Sequence, residues 1–575
     1  MPYSQTGYPS VDRPWMKFYN VKDTSEDNAQ VRKCLYSYLK DENWDHLEET
    51  ALYYFGKKIS YSSLFKRIDK TAEAFSALGV VDGDMVSLCV VSMPETAYCC
   101  FALNKLGSVC NIIEPRTNAN RIVELIKKSQ SKVLVIVDVI LKKLRDRLDE
   151  TGVETVIIIP ISESMPFIKK KLYDVTKSQY NSRISCNKHI MNWADFQKKS
   201  GNSVNCVGFK KKRPAVIIYT GGTTGVPKGA ILSNEGIVSL AVQSKYVVPR
   251  LYEGKRFLGI MPPFIAYGFV FGLFIPLCAG LELVMIPNFS PKLFPELMVK
   301  YKPNHVVGVP SFFEDFVNSK ASQKIDLSFL MCAITGGDQL TESTENKINE
   351  FFLSHNCKYR IMKGYGMTEL GSAVTFSHTN ESNKPGSVGI PIPCSNMKVL
   401  DQQTGKELKY NEVGELCITS DSIMLEYFNN PSETAKAKIL HDDGKYWIHS
   451  GDIGYISEEG LCYIKGRIKR MIIRPDGHNV WPSNIEDVIC MHPAVAACAV
   501  VGRAPEKTVN GKVPTAFIVN KPNQKKSQEL LSDIEKFTKI HLGERDTASL
   551  YVFIDELPLT DIGKVDYQKL ETIAI

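Results

Sequence analysis

The sequence has little that would indicate a metal centre, a nucleic-acid surface or a secreted protein. Among 575 residues there are ten histidines and fifteen cysteines, but no Cys-x-x-Cys pair and no His-Glu-x-x-His motif, which argues against structural zinc. The scattered cysteines indicate free buried thiols in a reducing cytoplasm, so we expect a cytoplasmic protein. The net charge of +7 is mild for this length and favours small anionic ligands over nucleic acid.

Signals for secretion and for membrane insertion are also lacking. The N-terminus has no basic start followed by an apolar core. The apolar stretch 257–287 is long enough to cross a bilayer, but it is interrupted by prolines and by Glu282, and we expect a buried strand–helix–strand unit there. The basic run 169–171 is interpreted as a solvated loop. The apolar residues beside it would allow contact with an anionic membrane surface, and we expect at most peripheral contact.

The composition and length predict an α/β fold with two domains. Hydrophobic residues make up 44% and charged residues 23% of the chain, as in ordinary globular proteins, and 575 residues exceed a single core. Apolar, β-branched segments alternate with helical patterns such as 121–128 and 294–301, which predicts parallel sheets covered on both faces. These segments are 85–91, 132–137, 155–159, 215–219, 305–309 and 331–335.

The pattern changes towards the C-terminus. Shorter strands with turns indicate a small β-rich part that closes a large N-terminal domain, residues 1–467. A separate α+β domain is predicted for residues 468–575. The short strands are 413–420, 446–455 and 461–464, and the C-terminal unit has helices at 483–491 and 527–540 and strands at 495–501, 513–519 and 550–554.

A glycine- and hydroxyl-rich loop follows the apolar run 215–218. Glycines let backbone N–H groups approach phosphate oxygens, threonines donate further hydrogen bonds, and a lysine offsets the charge. Gly229 follows the lysine, so this is not the common nucleoside-triphosphatase loop. A flexible surface loop is the alternative, and we favour phosphate binding. The candidate residues are Thr220, Gly221, Gly222, Thr223, Thr224 and Lys228.

Five further motifs occur in a fixed order along the chain. Two are expected to follow apolar strands, one to place Asp452 on a turn, one to lie at the domain junction and one to carry a lysine near the C-terminus. Each alone is weak, because such residues are common in turns and linkers. The motifs are Thr335-Gly336-Gly337-Asp338, Gly364-Tyr365-Gly366-Met367-Thr368-Glu369, His449-Ser450-Gly451-Asp452, Gly466-Arg467-Ile468-Lys469 and Pro558-Leu559-Thr560-Asp561-Ile562-Gly563-Lys564.

In this order, the motifs resemble those of the adenylate-forming superfamily, which includes acyl- and aryl-CoA synthetases, luciferases and peptide-synthetase adenylation domains. The resemblance extends from about residue 53 to the C-terminus. It implies a mobile C-terminal domain and two half-reactions. In the first, a carboxylate attacks the α-phosphate of ATP to give acyl-AMP and pyrophosphate. In the second, a thiol, usually that of coenzyme A, displaces AMP.

The resemblance also implies residue roles. The loop residues named above would hold the β- and γ-phosphates, and Lys564 would bridge the carboxylate and the nucleotide. Glu369 would hold Mg²⁺, whose charge supports the departing pyrophosphate. Lys469 would be the hinge about which the small domain turns. For the nucleotide, Tyr365 would stack on adenine, Gly336, Gly337 and Asp338 would line its edge, Thr368 would contact the α-phosphate, and Asp452 and Arg467 would bind the ribose.

Two departures from the family pattern concern the acyl and thiol substrates. Ile265 stands where relatives often carry a histidine, which leaves an apolar wall with Phe264, Tyr267 and Phe271 near it in sequence. The same residues would also suit a simple core, and we favour the pocket. The segment 474–479 replaces the usual glycine-rich lead-in to the thiolation loop, which leaves the way coenzyme A docks open.

We therefore expect an ATP- and Mg²⁺-dependent ligase that activates an apolar carboxylic acid, such as a fatty or medium-chain acid, and transfers it to coenzyme A. No aspartate is available near residue 265 to pair with an amino-acid ammonium. The alternatives are an aryl-CoA ligase, or an acyl-AMP ligase that loads a carrier protein on a separate chain. A non-catalytic nucleotide-binding protein of the same fold is disfavoured by the joint presence of Glu369, Asp452 and Lys564.

Overall fold

The computed structural model describes residues 6–19, 30–176, 189–220, 227–476, 478–504, 512–522, 524–559 and 565–574. Its strands build three large sheets and two small ones. The strands are β1 (Thr50–Tyr54), β2 (Lys57–Ser60), β3 (Met85–Cys89), β4 (Val109–Ile112), β5 (Val133–Val137), β6 (Thr155–Ile159), β7 (His189–Asn192), β8 (Pro214–Tyr219), β9 (Gly229–Ser233), β10 (Arg256–Gly259), β11 (Glu282–Met285), β12 (His305–Gly308), β13 (Cys332–Gly336), β14 (Met362–Met367), β15 (Ser372–Phe376), β16 (Ile390–Pro391), β17 (Ser395–Leu400), β18 (Gly414–Ser420), β19 (Lys438–Leu440), β20 (Tyr446–Ile456), β21 (Cys462–Arg467), β22 (Ile472–Ile473), β23 (Asn479–Val480), β24 (Val495–Arg503), β25 (Val513–Asn520) and β26 (Leu550–Phe553).

Helices pack on the faces of these sheets. Several begin at a side-chain cap, for example Ser60 before the third helix and Thr341 before the fourteenth, where the hydroxyl accepts a backbone N–H. The helices are α1 (Pro9–Asp12), α2 (Leu35–Glu42), α3 (Tyr61–Ala77), α4 (Pro94–Leu106), α5 (Ala119–Ser129), α6 (Asp138–Leu144), α7 (Phe167–Thr176), α8 (Trp193–Gln197), α9 (Asn234–Val247), α10 (Ala266–Phe269), α11 (Ile275–Cys278), α12 (Phe294–Tyr301), α13 (Pro310–Asn318), α14 (Glu342–Ser354), α15 (Pro431–Ala437), α16 (Pro482–Met491), α17 (Gln528–Leu542) and α18 (Tyr567–Thr572).

Two largely parallel sheets form the body of the protein. The seven-stranded sheet has the order β7-β6-β5-β3-β4-β8-β9, and only its edge strand β9 is antiparallel to its neighbour. The nine-stranded sheet has the order β16-β15-β14-β13-β12-β10-β11-β1-β2, with antiparallel strands at both ends. The strands predicted from apolar, β-branched segments all lie in these two sheets, so the predicted α/β class is confirmed.

Smaller sheets follow in the C-terminal part of the chain. An antiparallel sheet has the order β17-β18-β20-β19, with β21 paired to β20, and it is the predicted β-rich part. The hairpin β22-β23 and the sheet β24-β25-β26 come next. A separate apolar cluster is built from residues between Ile472 and Tyr551, whereas the main core extends from Trp15 to Cys462. The separation of the two apolar cores agrees with the predicted domain boundary at 467/468, which remains a prediction.

The apolar stretch 257–287 forms a buried strand, a helical segment and a second strand, as predicted. Within it, α10, a π-helical segment at Val270–Phe274 and α11 follow one another between β10 and β11. No helix among the described residues is both long and apolar enough to cross a membrane.

A buried ion pair fixes strand β14 to helix α14. Lys363 Nζ lies 2.7 Å from Glu345 Oε1, and the two side chains are only 5% and 2% exposed. The ammonium also donates to the carbonyl of Lys384 at 2.6 Å. Burial lowers the pKa of Lys363, an effect that the Glu345 carboxylate opposes. Because β14 also carries Tyr365, this pair holds a strand of the candidate site.

The substitution Glu345→Ala should destabilise the protein strongly, because it leaves the Lys363 ammonium buried without its carboxylate. Breaking a buried pair in this way costs about 3–5 kcal/mol of the free energy of unfolding. Urea unfolding followed by circular dichroism measures the loss. The matched control is Glu535→Ala, which breaks the exposed Glu535–Lys539 pair and should leave the unfolding midpoint nearly unchanged. Equal effects of the two substitutions would contradict the assignment.

Candidate functional site

Two donor side chains, each from a different strand, bind a carboxylate that lies on a third strand. The hydroxyl of Tyr365, on β14, donates to Asp452 Oδ2 at 2.7 Å. Arg467 Nε, on β21, donates to Asp452 Oδ1 at 2.6 Å. Asp452 is buried, whereas half of the Arg467 side chain is exposed. The structure therefore brings together the three residues that the resemblance assigned to adenine and ribose.

A bulge in the antiparallel sheet orients Asp452. Between the pairs Glu415–Ile453 and Cys417–His449, strand β20 has two more residues than β18. Gly451 takes φ +69° in this bulge, and its N–H donates to Glu415 Oε1 at 3.0 Å. The prediction that Asp452 lies on a turn is thus wrong: it lies inside β20, and the bulge supplies the local bend.

The surroundings of this cluster keep the phenol of Tyr365 neutral and the guanidinium of Arg467 charged. Burial raises the pKa of Tyr365 well above its ordinary value, and the Asp452 carboxylate raises it further, so the phenol keeps its proton. Desolvation lowers the pKa of Arg467, but Asp452, Tyr365 and Glu369 raise it by more. Each Asp452 oxygen accepts one of these bonds and keeps a lone pair with which it can accept another. The carboxylate can therefore accept two further hydroxyl hydrogen bonds.

Glycines bring β13 and β14 close together beside Tyr365. Gly336 pairs with Gly364, and a Cβ on Gly336 would lie only 2.6 Å from the Gly364 carbonyl oxygen. Gly337 takes φ +80° and ends the strand, and Asp338 is exposed after it. The expected turn after an apolar strand is therefore present. By contrast, Gly364–Met367 do not follow a strand as predicted but form β14 itself, and Thr368 and Glu369 lie in the short 3₁₀ turn after it.

The phosphate-loop candidate leaves the seven-stranded sheet between β8 and β9. At its mouth, Thr220 N donates to the Lys228 carbonyl at 2.8 Å, and Lys228 N donates to Thr220 Oγ1 at 3.4 Å. These bonds close the two ends of the loop. The predicted phosphate contacts Gly221, Gly222, Thr223 and Thr224 lie outside the described residues.

Glu369 and Lys228 are joined through Tyr427, which the sequence did not single out. The Tyr427 hydroxyl donates to Glu369 Oε1, and Lys228 Nζ lies 4.6 Å from the Tyr427 ring centre. Burial and then the Glu369 charge raise the pKa of Tyr427. The loop lysine and the metal-ligand candidate thus share one buried aromatic neighbour.

Lys228 also pairs with Glu433, at 3.1 Å from Oε2. Hydrogen bonds from Lys436 and Lys228 lower the pKa of Glu433 to about 2, so this carboxylate remains charged. Sequence signals for Tyr427 and Glu433 were absent, because neither lies in one of the ordered motifs. Backbone hydrogen bonds to β9 bring that segment to the loop: Phe428 N donates to the Gly229 carbonyl at 2.7 Å, and Ile231 N donates to the Glu426 carbonyl at 2.9 Å.

The acyl-pocket candidates do not all face one space. Phe271 lines a small cavity, and its ring centre lies 5.2 Å from that of Phe376 and 6.4 Å from that of Tyr267. The Tyr267 hydroxyl is within 3.5 Å of the Gly308 carbonyl. Phe264 is buried beneath Arg116, 5.1 Å from ring centre to guanidinium carbon, and Ile265 is half-buried. The cavity volume is about 10 Å³, enough for roughly one water molecule.

Helix α9 supplies cavity-lining residues that the sequence analysis missed. Gln243 is 4% exposed, and its Oε1 has no hydrogen-bond partner among the described residues. The feature of the sequence that could have identified them is the position of α9, directly after the phosphate-loop candidate and strand β9. The other lining residues are Leu240, Ser244, Val247, Val248, Phe376 and Ile392.

Contacts between the two predicted domains lie on one side of the site. Gln339 Nε2 donates to Asp487 Oδ1 at 3.1 Å, and Ser483 Oγ donates to the Lys465 carbonyl. Lys469 is exposed in a 3₁₀ turn between β21 and β22, in agreement with a junction position. Lys564 lies outside the described residues.

The donor set fits a nucleoside triphosphate with a divalent cation. An aromatic ring lies next to a glycine edge, a buried carboxylate retains lone pairs for hydroxyls, and a lysine stands at the mouth of a glycine-rich loop. Glu369 offers a half-buried carboxylate, and oxygen ligands of this type suit Mg²⁺.

Known families and proteins support the same assignment. The family model described as AMP-binding enzyme matches residues 41–428, and that of the AMP-binding enzyme C-terminal domain matches 484–564. A long-chain-fatty-acid–CoA ligase of Bacillus subtilis is 27% identical over 97% of each chain. A probable 4-coumarate–CoA ligase of Dictyostelium discoideum is 30% identical over 82% of this chain and 83% of the relative.

Solved structures show that the fold is shared as well. ATP-bound MatB from Rhodopseudomonas palustris has a TM-score of 0.79 at 23% identity, covering 93% of this chain and 98% of that protein. A benzoate CoA ligase from Burkholderia xenovorans LB400 has a TM-score of 0.78 at 21% identity, covering 94% and 100%. The predicted adenylate-forming family and AMP-forming ligase class are therefore confirmed. The chain belongs to the AMP-binding enzyme family.

Proposed function

We propose that this protein is an ATP- and Mg²⁺-dependent acyl-CoA synthetase for an apolar carboxylic acid. The observation that carries the proposal is the Asp452 cluster. A buried carboxylate held by Tyr365 and Arg467 stands beside the Gly336–Gly337 edge, and the charge of Glu369 acts on the same arginine. A nucleotide base, a ribose and a phosphate chain each have a matching partner in this arrangement.

The proposed reaction begins with attack of the substrate carboxylate on the α-phosphate of ATP. Pyrophosphate leaves, and the acyl-AMP reacts next with the thiol of coenzyme A, which expels AMP. No general base is needed in the first step, because the carboxylate is already ionised at neutral pH. The task of the protein is to hold two anions together, which calls for fixed cations and donors.

Each part of the site has a proposed task in this reaction. Lys228 and the loop around it bind the β- and γ-phosphates, and Thr368 contacts the α-phosphate. Glu369 would hold Mg²⁺, which supplies positive charge for the departing pyrophosphate. Lys564 stabilises the charge that builds when the two anions meet. Tyr427 keeps Glu369 oriented towards the loop through its hydroxyl.

The acid is proposed to be apolar because the segment 257–281 around Ile265 contains no aspartate or glutamate that could pair with a substrate ammonium. The relatives named for long-chain fatty acids and for 4-coumarate favour an aliphatic or aryl acid. The narrow cavity beside Phe271 requires side chains such as Gln243 or Phe271 to move before a chain enters. An aryl-CoA ligase, or a ligase that loads a separate carrier protein, is the second candidate.

The C-terminal part, residues 468–575, is proposed to turn about Lys469 between the half-reactions. Support comes from its separate apolar core and from the few polar contacts across the junction. Polar contacts of this kind between domains permit rotation at modest cost. The hairpin β22-β23, with the proposed thiolation segment at its tip, would then approach the nucleotide site.

Pyrophosphate release across a panel of acids, with and without coenzyme A, tests the proposal. Straight-chain acids should gain about three- to fourfold in kcat/KM per methylene, from about 0.8 kcal/mol per buried CH₂, until the cavity is full. EDTA should abolish release and Mg²⁺ restore it. Strong activity on α-amino acids, or none on any apolar acid, would overturn the substrate class.

The substitution Phe271→Ala should move the preferred chain length upwards. Phe269 is buried nearby but does not line the cavity, so Phe269→Ala should only lower stability.

The substitution Asp452→Asn should weaken ATP use selectively. It removes the charge that pairs with Arg467 and that strengthens hydrogen bonds from ribose hydroxyls. Such charged bonds contribute about 1.5–3 kcal/mol, so kcat/KM for ATP should fall by about 10- to 150-fold. The KM for the acid should change little. Asp442→Asn, at an exposed site on the loop before β20, is the matched control, and an equal loss there would contradict the ribose role.

Opposite effects on the two half-reactions should distinguish Lys564 from Lys469. Lys564→Ala should lower acyl-AMP formation by about 10²–10⁴-fold, as for loss of one preorganised charge. It should leave thioester formation from supplied acyl-AMP largely intact. Lys469→Pro fixes a backbone angle and should spare adenylation while it slows thioester formation. Rapid-quench assays of each half-reaction measure both, and parallel losses in the two variants would contradict the hinge.

A further inference from the structure

Helix α7 presents large apolar side chains to solvent. Phe167, Ile168, Leu172 and Val175 are 71%, 81%, 65% and 86% exposed, all on one helix of ten residues. Scattered single exposed apolar residues are ordinary, but a contiguous group on one element marks an interaction surface. The proposed reaction makes no use of this helix.

Three of these residues form a stripe with lysines on both sides. At 100° per residue, Ile168, Leu172 and Val175 fall within about 60° of one another around the helix axis. On the same helical wheel Lys171 lies on one flank of the stripe and Lys169 on the other, and both are exposed. Lys171 Nζ lies 4.7 Å from the centre of the Phe167 ring. The helix therefore has an apolar face bordered by positive charge.

The opposite face of α7 is fastened to the body of the protein. Tyr173 packs against the main apolar core, and Asp174 accepts a hydrogen bond from Ser162 at 2.5 Å. Lys170 pairs with Glu163 at 2.6 Å. Because this inner face already has its contacts, the helix cannot turn its apolar stripe inwards without breaking them.

The tip of the β1–β2 hairpin extends the surface. Lys169 Nζ donates to the Phe55 carbonyl at 2.7 Å, so the tip lies against the start of α7. Phe55, at φ +51°, is 38% exposed at this tip. Asp174 and Glu163, the acidic side chains on and beside the helix, are already bonded to Ser162 and Lys170. The surface is thus apolar and positively charged.

We propose that the α7 face and this hairpin tip dock on the surface of an anionic phospholipid bilayer. Apolar side chains would enter the boundary between headgroups and acyl chains, while the long lysines reach the phosphates, as in other interfacial helices. A second copy of this chain is a poorer occupant, because a symmetric contact would oppose lysine to lysine. Docking through α7 does not depend on the proposed reaction.

Vesicle sedimentation with the full-length protein tests the proposal. Vesicles of phosphatidylglycerol and phosphatidylcholine should bind the protein, pure phosphatidylcholine should bind it far less, and added salt should release part of it. The double substitution I168E/V175E should lower the partition coefficient by at least about tenfold, since it removes two aliphatic side chains that the bilayer would bury. The double substitution K169Q/K171Q should lower it by about fivefold per lysine.

Matched variants separate this surface from general effects. L353E/I540E makes the same change at two other strongly exposed sites, and K320Q/K324Q removes two exposed lysines elsewhere. Both should bind vesicles like the unmodified protein. In an Ile168→Trp variant, brominated lipids should quench the fluorescence of the new tryptophan if the stripe enters the bilayer. Equal binding by I168E/V175E and its control, or a dimer in sedimentation velocity that I168E/V175E alone abolishes, would overturn the proposal.

Discussion

The contact between Asp452 and its two donors is the interaction on which the rest of the site depends. A carboxylate that is almost fully buried would be strongly disfavoured without compensation, and Arg467 and Tyr365 provide a positive charge and a hydroxyl. Arg467 lies on β21, directly opposite Asp452 in the same antiparallel sheet, whereas Tyr365 lies on β14 of the nine-stranded sheet. The Tyr365 hydrogen bond therefore fixes the antiparallel sheet against the nine-stranded one, and with it the space between them.

The proposed reaction of an acid with a triphosphate adds a second constraint. The cations that bind the phosphates must keep their positions in the site before the substrates arrive. Lys228 meets this requirement through a charged partner, Glu433, and an aromatic one, Tyr427. Tyr427 also holds Glu369, so the lysine and the carboxylate on either side of the expected phosphates are positioned by one ring. Preorganisation of this kind reduces the rearrangement needed when the substrates bind.

The sequence predicted the sheets well and the detail of the site less well. Segments such as 133–137 and 215–218 are apolar throughout, which is the pattern of a strand covered on both faces, and the structure has them in β5 and β8. Asp452 was expected on a turn, since a Gly-Asp pair usually forms one. A bulge is a property of strand pairing, and its register depends on β18 rather than on the motif itself. Tyr427 and Gln243 were missed for a similar reason, because long-range packing alone brings them to the site.

The cations of the candidate site and those of the α7 surface have different surroundings. At the candidate site, Lys228 and Arg467 are each matched by a carboxylate, which keeps them oriented and limits their reach into solvent. On the α7 surface, Lys169 meets a carbonyl and Lys171 an aromatic ring, contacts that leave a full positive charge facing outwards. A carboxylate-paired cation suits a small ligand that must be positioned, because its direction is fixed. An uncompensated one suits an extended anionic surface, where any of many phosphates can serve as the partner. The modest net charge of +7 is therefore consistent with a strong local positive field at one face.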